Sequence, residues 1–363
     1  MHEIDSWDQA DRSPINPNAV PLKILIIRFS SIGDIVLTTP VVRCLKQQLQ
    51  AEVHFLTKKP FRNILDANPY VDKVYAIKSK IGEIAEDLKS EQYDWVIDLH
   101  HNLRSFQVKR LLRVASRSFD KINFQKWLMV RFKWNVLPRT HIVNRYLDTV
   151  KKLGVQYDGQ GLDYFIPEAQ ELSLRNLASD QNLSPELRND LQQGHYLALV
   201  IGAAHATKRL PVKKLIEICR GIHQPILLLG GLDDRPAAEQ IAQAAGSHVV
   251  NTCGQYSLHQ SASLVRQAQQ VITHDTGLMH IAAALRKPIV SVWGNTIPEF
   301  GMTPFYPDGM EKNTSVEVKK LSCRPCSKIG FDACPKGHFN CMEQIDPGKI
   351  FLALGSDIPT KIS

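Results

Sequence analysis

Several common signatures are missing from this sequence. No apolar run reaches the roughly 18 to 20 residues of a membrane-spanning helix, so the chain is not predicted to cross a bilayer. Neither G-x-G-x-x-G nor G-x-x-x-x-G-K-S/T occurs, and the glycine pair at Gly230 and Gly231 stands alone. Without these phosphate-binding loops, a dinucleotide-dependent redox enzyme and a P-loop NTPase are both poorly supported.

The amino terminus also lacks a secretory signal, because its first residues are acidic and polar rather than basic and then apolar. We therefore expect a cytoplasmic protein with a flexible tail over residues 1–20. At 44% apolar and 22% charged residues, the composition is that of an ordinary globular protein. A chain of 363 residues is longer than one hydrophobic core usually serves, so two domains are expected.

Positive charge is concentrated in residues 104–139, here called the basic-aromatic segment. These residues carry ten Lys and Arg against one acid, Asp120, so their charge of +9 exceeds the net charge of +8 for the whole chain. The aromatic residues of the segment are Phe106, Phe119, Phe124, Trp127, Phe132 and Trp134. This mixture favours contact with an anionic, amphipathic partner such as a lipid headgroup layer. A solvated helical face is the alternative, and nucleic acid is less well supported because no nucleic-acid-binding motif accompanies the charge.

Strand and helix patterns alternate through both halves of the chain. Apolar, β-branched runs predict strands at 23–29, 53–57, 73–77 and 94–99, then at 196–202, 225–231, 248–253, 271–273 and 289–293. Such alternation predicts an α/β protein with two Rossmann-like, doubly wound parallel-sheet domains facing a central cleft. The predicted parts are a first domain at 21–170, a second domain at 171–345, and a terminal helix and tail at 346–363.

The first predicted strand leads directly into a turn that carries an acid. Ser31, Gly33 and Asp34 lie between this strand and a helical pattern, at the strand end where ligands of parallel sheets bind. The Asp34 carboxylate is there either a helix cap or, if it faces a cleft, a general base. The strand at 94–99 ends in His100, which is expected on the same side.

Residues 269–294 predict a strand, a tight turn, a helix and a second strand. The helix begins at Asp275-Thr276-Gly277, where unpaired N–H groups and partial positive charge favour an anion. The alternative is that Asp275 or Thr276 simply caps the helix. His280 falls in the first turn, where the helix dipole disfavours its protonation.

Two further groups of residues suggest anion and metal chemistry. Small residues from Gly202 lead to Lys208 ahead of a helix, which can bring a cation to a phosphate; a solvated loop cation is the alternative. Four thiols, Cys323, Cys326, Cys334 and Cys341, are dense enough for a tetrahedral structural zinc. Because the second pair does not repeat the C-x-x-C spacing, reduced thiols in a compact loop are the alternative.

Together these stretches resemble glycosyltransferase family 9, the bacterial lipopolysaccharide heptosyltransferases. The resemblance covers residues 22–351, with one departure, since the family often has Trp at the position of Leu210. The loop Cys323-Arg324-Pro325-Cys326 with Cys341-Met342 looks like the heptosyltransferase II branch. The main matching motifs are Ser31-Ile32-Gly33-Asp34 with Pro40, Gly202-Ala203 with Lys208-Arg209-Leu210-Pro211, and Asp275 to Ala284 with Lys287-Pro288.

The resemblance implies a GT-B architecture, with an acceptor site in the first domain and an ADP-sugar site in the second. It also implies that the last helix, residues 347–354, packs back on the first domain. The family inverts the configuration of the transferred sugar without a catalytic metal. The sequence fits this, because Asp233 and Asp234 are adjacent and no D-x-D triplet is present.

Carried over to this sequence, the resemblance implies roles for individual residues. Asp34 becomes the catalytic base, Lys208 and the Gly277 and Leu278 amides hold the pyrophosphate, and Asp275 bonds the donor sugar. The donor side further includes Thr276, His280, Thr207 and Asp234. The acceptor side includes Ser31, Gly33, His100, Arg104, Lys109 and Arg139.

The expected partners are ADP-heptose, a lipopolysaccharide core and lipid A acceptor, and the anionic inner face of the cytoplasmic membrane, with no nucleic acid. No cofactor is expected for catalysis, and a structural zinc at most. One alternative is a family 9 enzyme with a different nucleotide sugar or acceptor. A second alternative, from another class, is a noncatalytic binding protein stapled by zinc.

Overall fold

The computed structural model describes residues 21–179 and 183–355. The tail expected at residues 1–20 and the chain end at 356–363 lie outside the described residues. Across the two described ranges, no helix combines the length and the apolar character that crossing a bilayer requires.

The first domain contains a parallel sheet whose central strand is fully buried. Its strands are β1 (Lys23–Ile27), β2 (Glu52–Lys58), β3 (Lys73–Ile77), β4 (Trp95–Asp98) and β5 (Ala115–Ser118). Their order is β3-β2-β1-β4-β5, and Ile24 of β1 lies opposite Val53 and Trp95 in the two neighbouring strands. The side chains of Ile24 to Ile27 have no exposed surface, because both faces of β1 are covered.

Helices connect these strands and continue into the second domain. They are α1 (Ile32–Val36), α2 (Thr39–Leu49), α3 (Asn63–Asp66), α4 (Ala85–Ser90), α5 (Leu103–Leu112), α6 (Asn123–Phe132), α7 (Ile142–Leu147), α8 (Leu174–Ser179) and α9 (Pro185–Gln192). Pro40 lies in the first turn of α2, where its missing N–H leaves no helical bond unmade.

The second domain contains a six-stranded parallel sheet. Its strands are β6 (Leu197–Val200), β7 (Ile226–Leu229), β8 (Val249–Asn251), β9 (Gln270–His274), β10 (Ile289–Trp293) and β11 (Asn313–Glu317). Their order is β11-β10-β9-β6-β7-β8. The helices are α10 (Val212–Arg220), α11 (Arg235–Ala245), α12 (Leu258–Gln267), α13 (Gly277–Ala284), α14 (Asn340–Glu343) and α15 (Pro347–Ala353). The predicted pair of doubly wound α/β domains is therefore confirmed, whereas the boundary between residues 170 and 171 stays a prediction.

The position of α15 differs from the expectation. Its described residues pack against α10 and β11 of the second domain, not back on the first. Phe351 lies so close to Gly221 that a Cβ at that glycine would be 2.3 Å from the ring. Burial of Ile350 and Phe351 in the second hydrophobic core holds the helix there.

The sequence did not predict the edge strands β5 and β11. Both are polar, ASRS and NTSVE, and most of their side chains are partly or fully exposed. An edge strand has a neighbour on one side only and does not need the apolar run by which a buried strand is recognised. The basic-aromatic segment consequently contains a strand, β5, between helices α5 and α6.

The two domains meet where the strand order of each sheet reverses. In the first sheet this point lies between β1 and β4, and in the second between β6 and β9. Helix α1 follows β1 and helix α13 follows β9, and these two helices are in contact. Ligands of open parallel sheets bind at such reversal points, so a ligand site is expected near the α1–α13 contact.

A buried arginine ties α2 to the passage at residues 158–163. The Arg43 side chain is fully buried, and its guanidinium bonds both carboxylate oxygens of Asp158 at 2.7 and 2.8 Å. It also contacts the Asp163 carboxylate and donates to the Gly161 carbonyl at 2.9 Å. Desolvation by burial opposes the charge, but the two acids raise the pKa of Arg43 above its ordinary value. The passage is therefore fixed by charge as well as by apolar contacts.

We expect Arg43→Met to lower the midpoint of urea unfolding, because it leaves two carboxylates without their buried counter-charge. The loss should correspond to about 3–5 kcal/mol. The control is Lys46→Met in the same helix, whose ion pair with Asp72 is about one-third exposed and worth roughly 0–1 kcal/mol. Equal midpoints for the two variants would contradict this role of Arg43.

Candidate active site

Asp34 begins one wall of the space between the domains. One carboxylate oxygen lies 2.7 Å from Nη2 of Arg28, and the other accepts from the Ser31 hydroxyl at 2.7 Å and the Ser31 N–H at 3.1 Å. Burial alone would raise the pKa of Asp34, but Arg28 and the Ser31 bonds hold that pKa below its ordinary value. Asp34 thus completes a capping box at the start of α1 and is ionised, and its role as a general base stays a prediction.

Arg28, which fixes this carboxylate, was missed by sequence reasoning. Its Nη1 donates to the Leu99 carbonyl at 2.6 Å and to the Tyr146 hydroxyl at 3.0 Å, and its Nε donates to the Ser30 carbonyl at 2.8 Å. The residue is only 8% exposed. A signal for it exists in the sequence, since a charged residue near the end of the apolar run KILIIRF needs a partner.

The opposite wall is the start of α13. The Asp275 carboxylate accepts from Lys208 Nζ at 2.6 Å and from the Thr296 hydroxyl at 2.9 Å. Thr276 occupies the N-cap position, and within the described chain its side chain makes no capping bond. Thr276 therefore does not cap the helix with its side chain, and binding of an anion at this helix start stays a prediction.

Two glycines allow the walls to come together. A Cβ added to Gly277 would lie 2.8 Å from Cβ of Ile32, and one added to Gly33 would lie 2.5 Å from Cδ2 of His280. Both distances are below van der Waals contact, so any larger residue forces the helices apart. The start of α1, which carries Asp34, is consequently in direct contact with the start of α13.

His280 lies between the carboxylates of the two walls. It is 2% exposed, and its Nδ1 has no hydrogen-bond partner among the described residues. Burial lowers the pKa of His280 to about 4, although Asp275 and Asp34 act to raise it. The expected neutral imidazole is therefore supported, with burial as the largest cause and not the helix dipole.

Two expected donor residues are occupied by contacts within the protein. The Thr207 hydroxyl is buried and bonds both the carbonyl and the N–H of Phe331, at 3.1 and 2.8 Å. The Asp234 carboxylate accepts from the Gly231 N–H at 2.8 Å and pairs with Arg209 at 3.0 Å. In this structure both side chains hold loops together, and their contact with a donor stays a prediction.

Of the expected acceptor residues, some lie near Phe29 at the end of the first strand and others lie elsewhere. Burial lowers the pKa of His100 to about 4, and its ring meets Phe29 edge-on at 5.2 Å, close to Asp34. Arg104 lies over the other side of this strand end, 5.4 Å from the centroid of the Phe29 ring. Arg139 is exposed at the surface.

Lys109 requires a correction as an acceptor residue. Its ammonium bonds the Ser118 hydroxyl at 2.7 Å and pairs with the fully buried Asp98 at 3.0 Å. It therefore neutralises an internal acid at the carboxyl end of the sheet and is not available to a ligand.

The structure brings a second missed residue, Lys126 of α6, between the domains. Its Nζ lies 5.7 Å from the centroid of the Phe300 ring in the second domain. Burial, followed by repulsion from Arg145, lowers the pKa of Lys126 to about 8, and Asp34 is close enough to act on it. The sequence showed a basic segment but not which cation turns inward.

In the described part of the chain, no three of the four thiols have their sulfur atoms within 4.8 Å of one another. In residues 21–179 and 183–355, the single group of three potential ligands within 4.8 Å of one another is Glu52, His54 and Glu91. That group already pairs with Lys23 at 2.8 Å and Lys73 at 2.6 Å. Zinc on Cys323, Cys326, Cys334 and Cys341 suits the chemistry of the donors but stays a prediction.

We expect Gly277→Ala to lower turnover about 10²-fold, because the added methyl group separates α1 from α13 by a fraction of an ångström or more. Gly82→Ala is the matched control, since a Cβ there has nothing within 4 Å. Initial rates and melting temperatures of both variants should be measured. Wild-type turnover in Gly277→Ala would mean that the helix starts need not touch during the reaction.

The comparisons with known proteins agree with this geometry. A family model described as Glycosyltransferase family 9 (heptosyltransferase) matches residues 81–332. The chain is 25% identical to lipopolysaccharide heptosyltransferase 1 of Campylobacter coli over 313 residues, covering 80% of this chain and 87% of that protein. It is 28% identical to lipooligosaccharide heptosyltransferase 2 of Haemophilus ducreyi over 300 residues, covering 77% and 85% respectively.

A comparison with solved structures gives the fold. The structure of E. coli ADP-heptose lps heptosyltransferase II superposes with a TM-score of 0.66 at 20% identity, covering 92% of this chain and 98% of that one. This similarity confirms the predicted GT-B architecture. Because the family model also matches well over half of the sequence, the chain belongs to glycosyltransferase family 9, the heptosyltransferase family.

Proposed function

We propose that this protein transfers heptose from ADP-heptose to the inner core of lipopolysaccharide, with inversion and without a catalytic metal, at the cytoplasmic face of the membrane. One observation carries the proposal: the start of α1, which holds Asp34, contacts the uncapped start of α13 through Gly33 and Gly277. The name of the similar E. coli enzyme, an ADP-heptose lps heptosyltransferase, supports this donor and acceptor.

The leaving group is accommodated at the α13 wall. When the bond from C1 of the sugar to the phosphate oxygen breaks, its electron pair goes to ADP and adds negative charge there. The Gly277 and Leu278 N–H groups and the Lys208 ammonium are positioned to stabilise that charge more strongly in the transition state than before it. Lys208 is held 2.6 Å from Asp275, so it needs only a small rotation to reach a phosphate.

The attacking group is activated at the Asp34 wall. The Asp34 oxygen that bonds Arg28 keeps a second lone pair, whereas the other oxygen accepts two bonds from Ser31. That lone pair takes the proton of the acceptor hydroxyl. At the same time the hydroxyl oxygen forms its bond to C1 from the side opposite ADP. A single displacement of this kind inverts the configuration at C1.

Positive charge around Asp34 supports an anionic acceptor. Lys121 and Lys126 form no ion pair with any carboxylate in the described ranges, and burial lowers the pKa of both. Arg145 is 6% exposed, and its Nε and Nη2 atoms have no hydrogen-bond partner among the described residues. Partly or fully buried cations that pair with no acid favour a ligand that brings its own negative charge, as phosphorylated and acidic sugars do.

We expect Asp34→Asn to lower turnover by about 10² to 10⁴, because the amide cannot accept the acceptor proton. Binding of ADP-heptose, measured by calorimetry, should be retained, since the donor wall is unchanged. Asp66→Asn is the control, because Asp66 lies on the surface in a half-exposed pair with Arg62. Near-normal turnover in Asp34→Asn would remove this residue from the mechanism.

We also expect kcat/KM for the acceptor to fall above about pH 8, where Lys126 loses the proton that makes it cationic. Below that pH the residue is charged and the acceptor anion is attracted. Lys126→Arg should extend the plateau to higher pH, since a guanidinium stays charged. Identical alkaline limbs for the two proteins would show that another group sets the profile.

A further inference from the structure

We propose that helix α6 and the turn after it dock this enzyme on an anionic bilayer, through four aromatic rings flanked by cations. This inference rests on the proposed function, because it explains how a lipid-anchored acceptor reaches Asp34. The four rings, here called the aromatic quartet, are Phe124, Trp127, Phe132 and Trp134.

The aromatic quartet is exposed to an extent that is unusual for such large rings. The exposed fractions are 66% for Phe124, 49% for Trp127, 47% for Phe132 and 62% for Trp134. Every residue of α6 is at least partly exposed, although the sequence NFQKWLMVRF is rich in apolar side chains. Single exposed apolar residues are common on proteins, but a contiguous patch marks an interaction surface.

The rings pack on one another as a continuous row. Phe124 stacks on Trp127 with centroids 6.0 Å apart, Trp127 meets Phe132 edge-on at 5.4 Å, and Phe132 lies 5.3 Å from Trp134. The row is thus already assembled in the free protein. Binding a partner needs little further ordering of these side chains.

The charge around the quartet identifies the occupant as an anionic bilayer. Between Asp120 and Asp148 the sequence contains no acid, and the exposed cations Arg131 and Arg139 lie in this stretch. Aromatic rings settle at the boundary between headgroups and acyl chains, and arginines pair with anionic headgroups. A second copy of the same surface would place like charges face to face, which disfavours a dimer through this patch.

Helix α6 also connects this surface to the active site. Lys126, between Phe124 and Trp127 in sequence, turns towards Phe300 and the space near Asp34. A bilayer that touches the quartet therefore lies beside the opening through which an acceptor sugar enters. The same helix has one side at the membrane and the other at the cleft.

A loop of the second domain is fixed against the same helix. Lys133 Nζ donates to the Cys323 carbonyl at 3.2 Å and to the Pro325 carbonyl at 2.6 Å, and Lys328 Nζ lies 3.4 Å from the Asn123 amide oxygen. Next to Lys328, Ile329 is 62% exposed. The docking surface thus includes one apolar residue from the donor domain.

The test is sedimentation of the full chain with phosphatidylcholine vesicles and with vesicles that also contain phosphatidylglycerol. Wild-type protein should bind the anionic vesicles. The triple variant Phe124→Ser/Trp127→Ser/Trp134→Ser should bind them with an affinity at least about tenfold lower. Arg131→Gln and Arg139→Gln should each weaken binding about fivefold at low salt. The control is Leu232→Ser/Leu352→Ser, which removes two apolar side chains, 68% and 71% exposed, from outside this segment.

Several results would overturn docking. These are no binding of the wild type to anionic vesicles, equal binding of the triple variant with an unchanged melting temperature, or a concentration-dependent dimer that the triple variant abolishes.

A second readout separates docking from the proposed reaction. With a deacylated, water-soluble core acceptor, the triple variant should match the wild type in turnover, whereas with acceptor in vesicles it should be about tenfold slower. Loss of turnover on the soluble acceptor would overturn a pure docking role for the quartet. Vesicle binding by a wild type that transfers no heptose to either acceptor would contradict the proposed function and leave docking supported.

Discussion

The contact between two helix starts, at Gly33 in α1 and Gly277 in α13, is the constraint on which the site depends. Each helix follows a central strand of its own parallel sheet, at the point where the strand order reverses. A side chain at either glycine would meet the opposite helix within 3 Å. This close approach brings the helix that carries Asp34 in one domain against the helix start with free backbone amides in the other.

The charges of the two walls are arranged so that they do not cancel each other. Arg28 and Ser31 keep Asp34 ionised, while burial keeps His280 between the walls neutral. On the other wall, Lys208 pairs with Asp275 at 2.6 Å. In the proposed reaction, one side supplies the proton acceptor, and the other supplies positive charge for the departing diphosphate. A lowered pKa weakens Asp34 as a base but ensures that it is unprotonated at neutral pH.

Much of this arrangement could be predicted from the sequence, because buried strands and helix starts have strong local signals. The fully buried β1 and β10 are apolar runs, and the turns at Asp34 and Asp275 follow such strands directly. Edge strands β5 and β11 could not be found in this way, since half-exposed polar strands resemble loops in sequence. Their stability comes from pairing with a neighbour that is distant in the chain.

The directions in which side chains point could not be predicted from the sequence. Lys109 and Lys126 belong to the same basic segment, yet one ammonium neutralises buried Asp98 and the other enters the space between the domains. Thr207 was expected to meet the donor, but it bonds the backbone of Phe331, 124 residues away. Such contacts depend on which distant segment folds onto a loop, and no local pattern records that.

The most direct test of the account is a crystal structure of the protein with ADP. We expect the diphosphate at the start of α13, with a phosphate oxygen about 3 Å from the Gly277 or Leu278 N–H and from Lys208 Nζ. The position from which C1 of the sugar would extend should then lie between that phosphate and Asp34. A diphosphate bound elsewhere, with its terminal phosphate separated from Asp34 by a wall of the protein, would contradict the account.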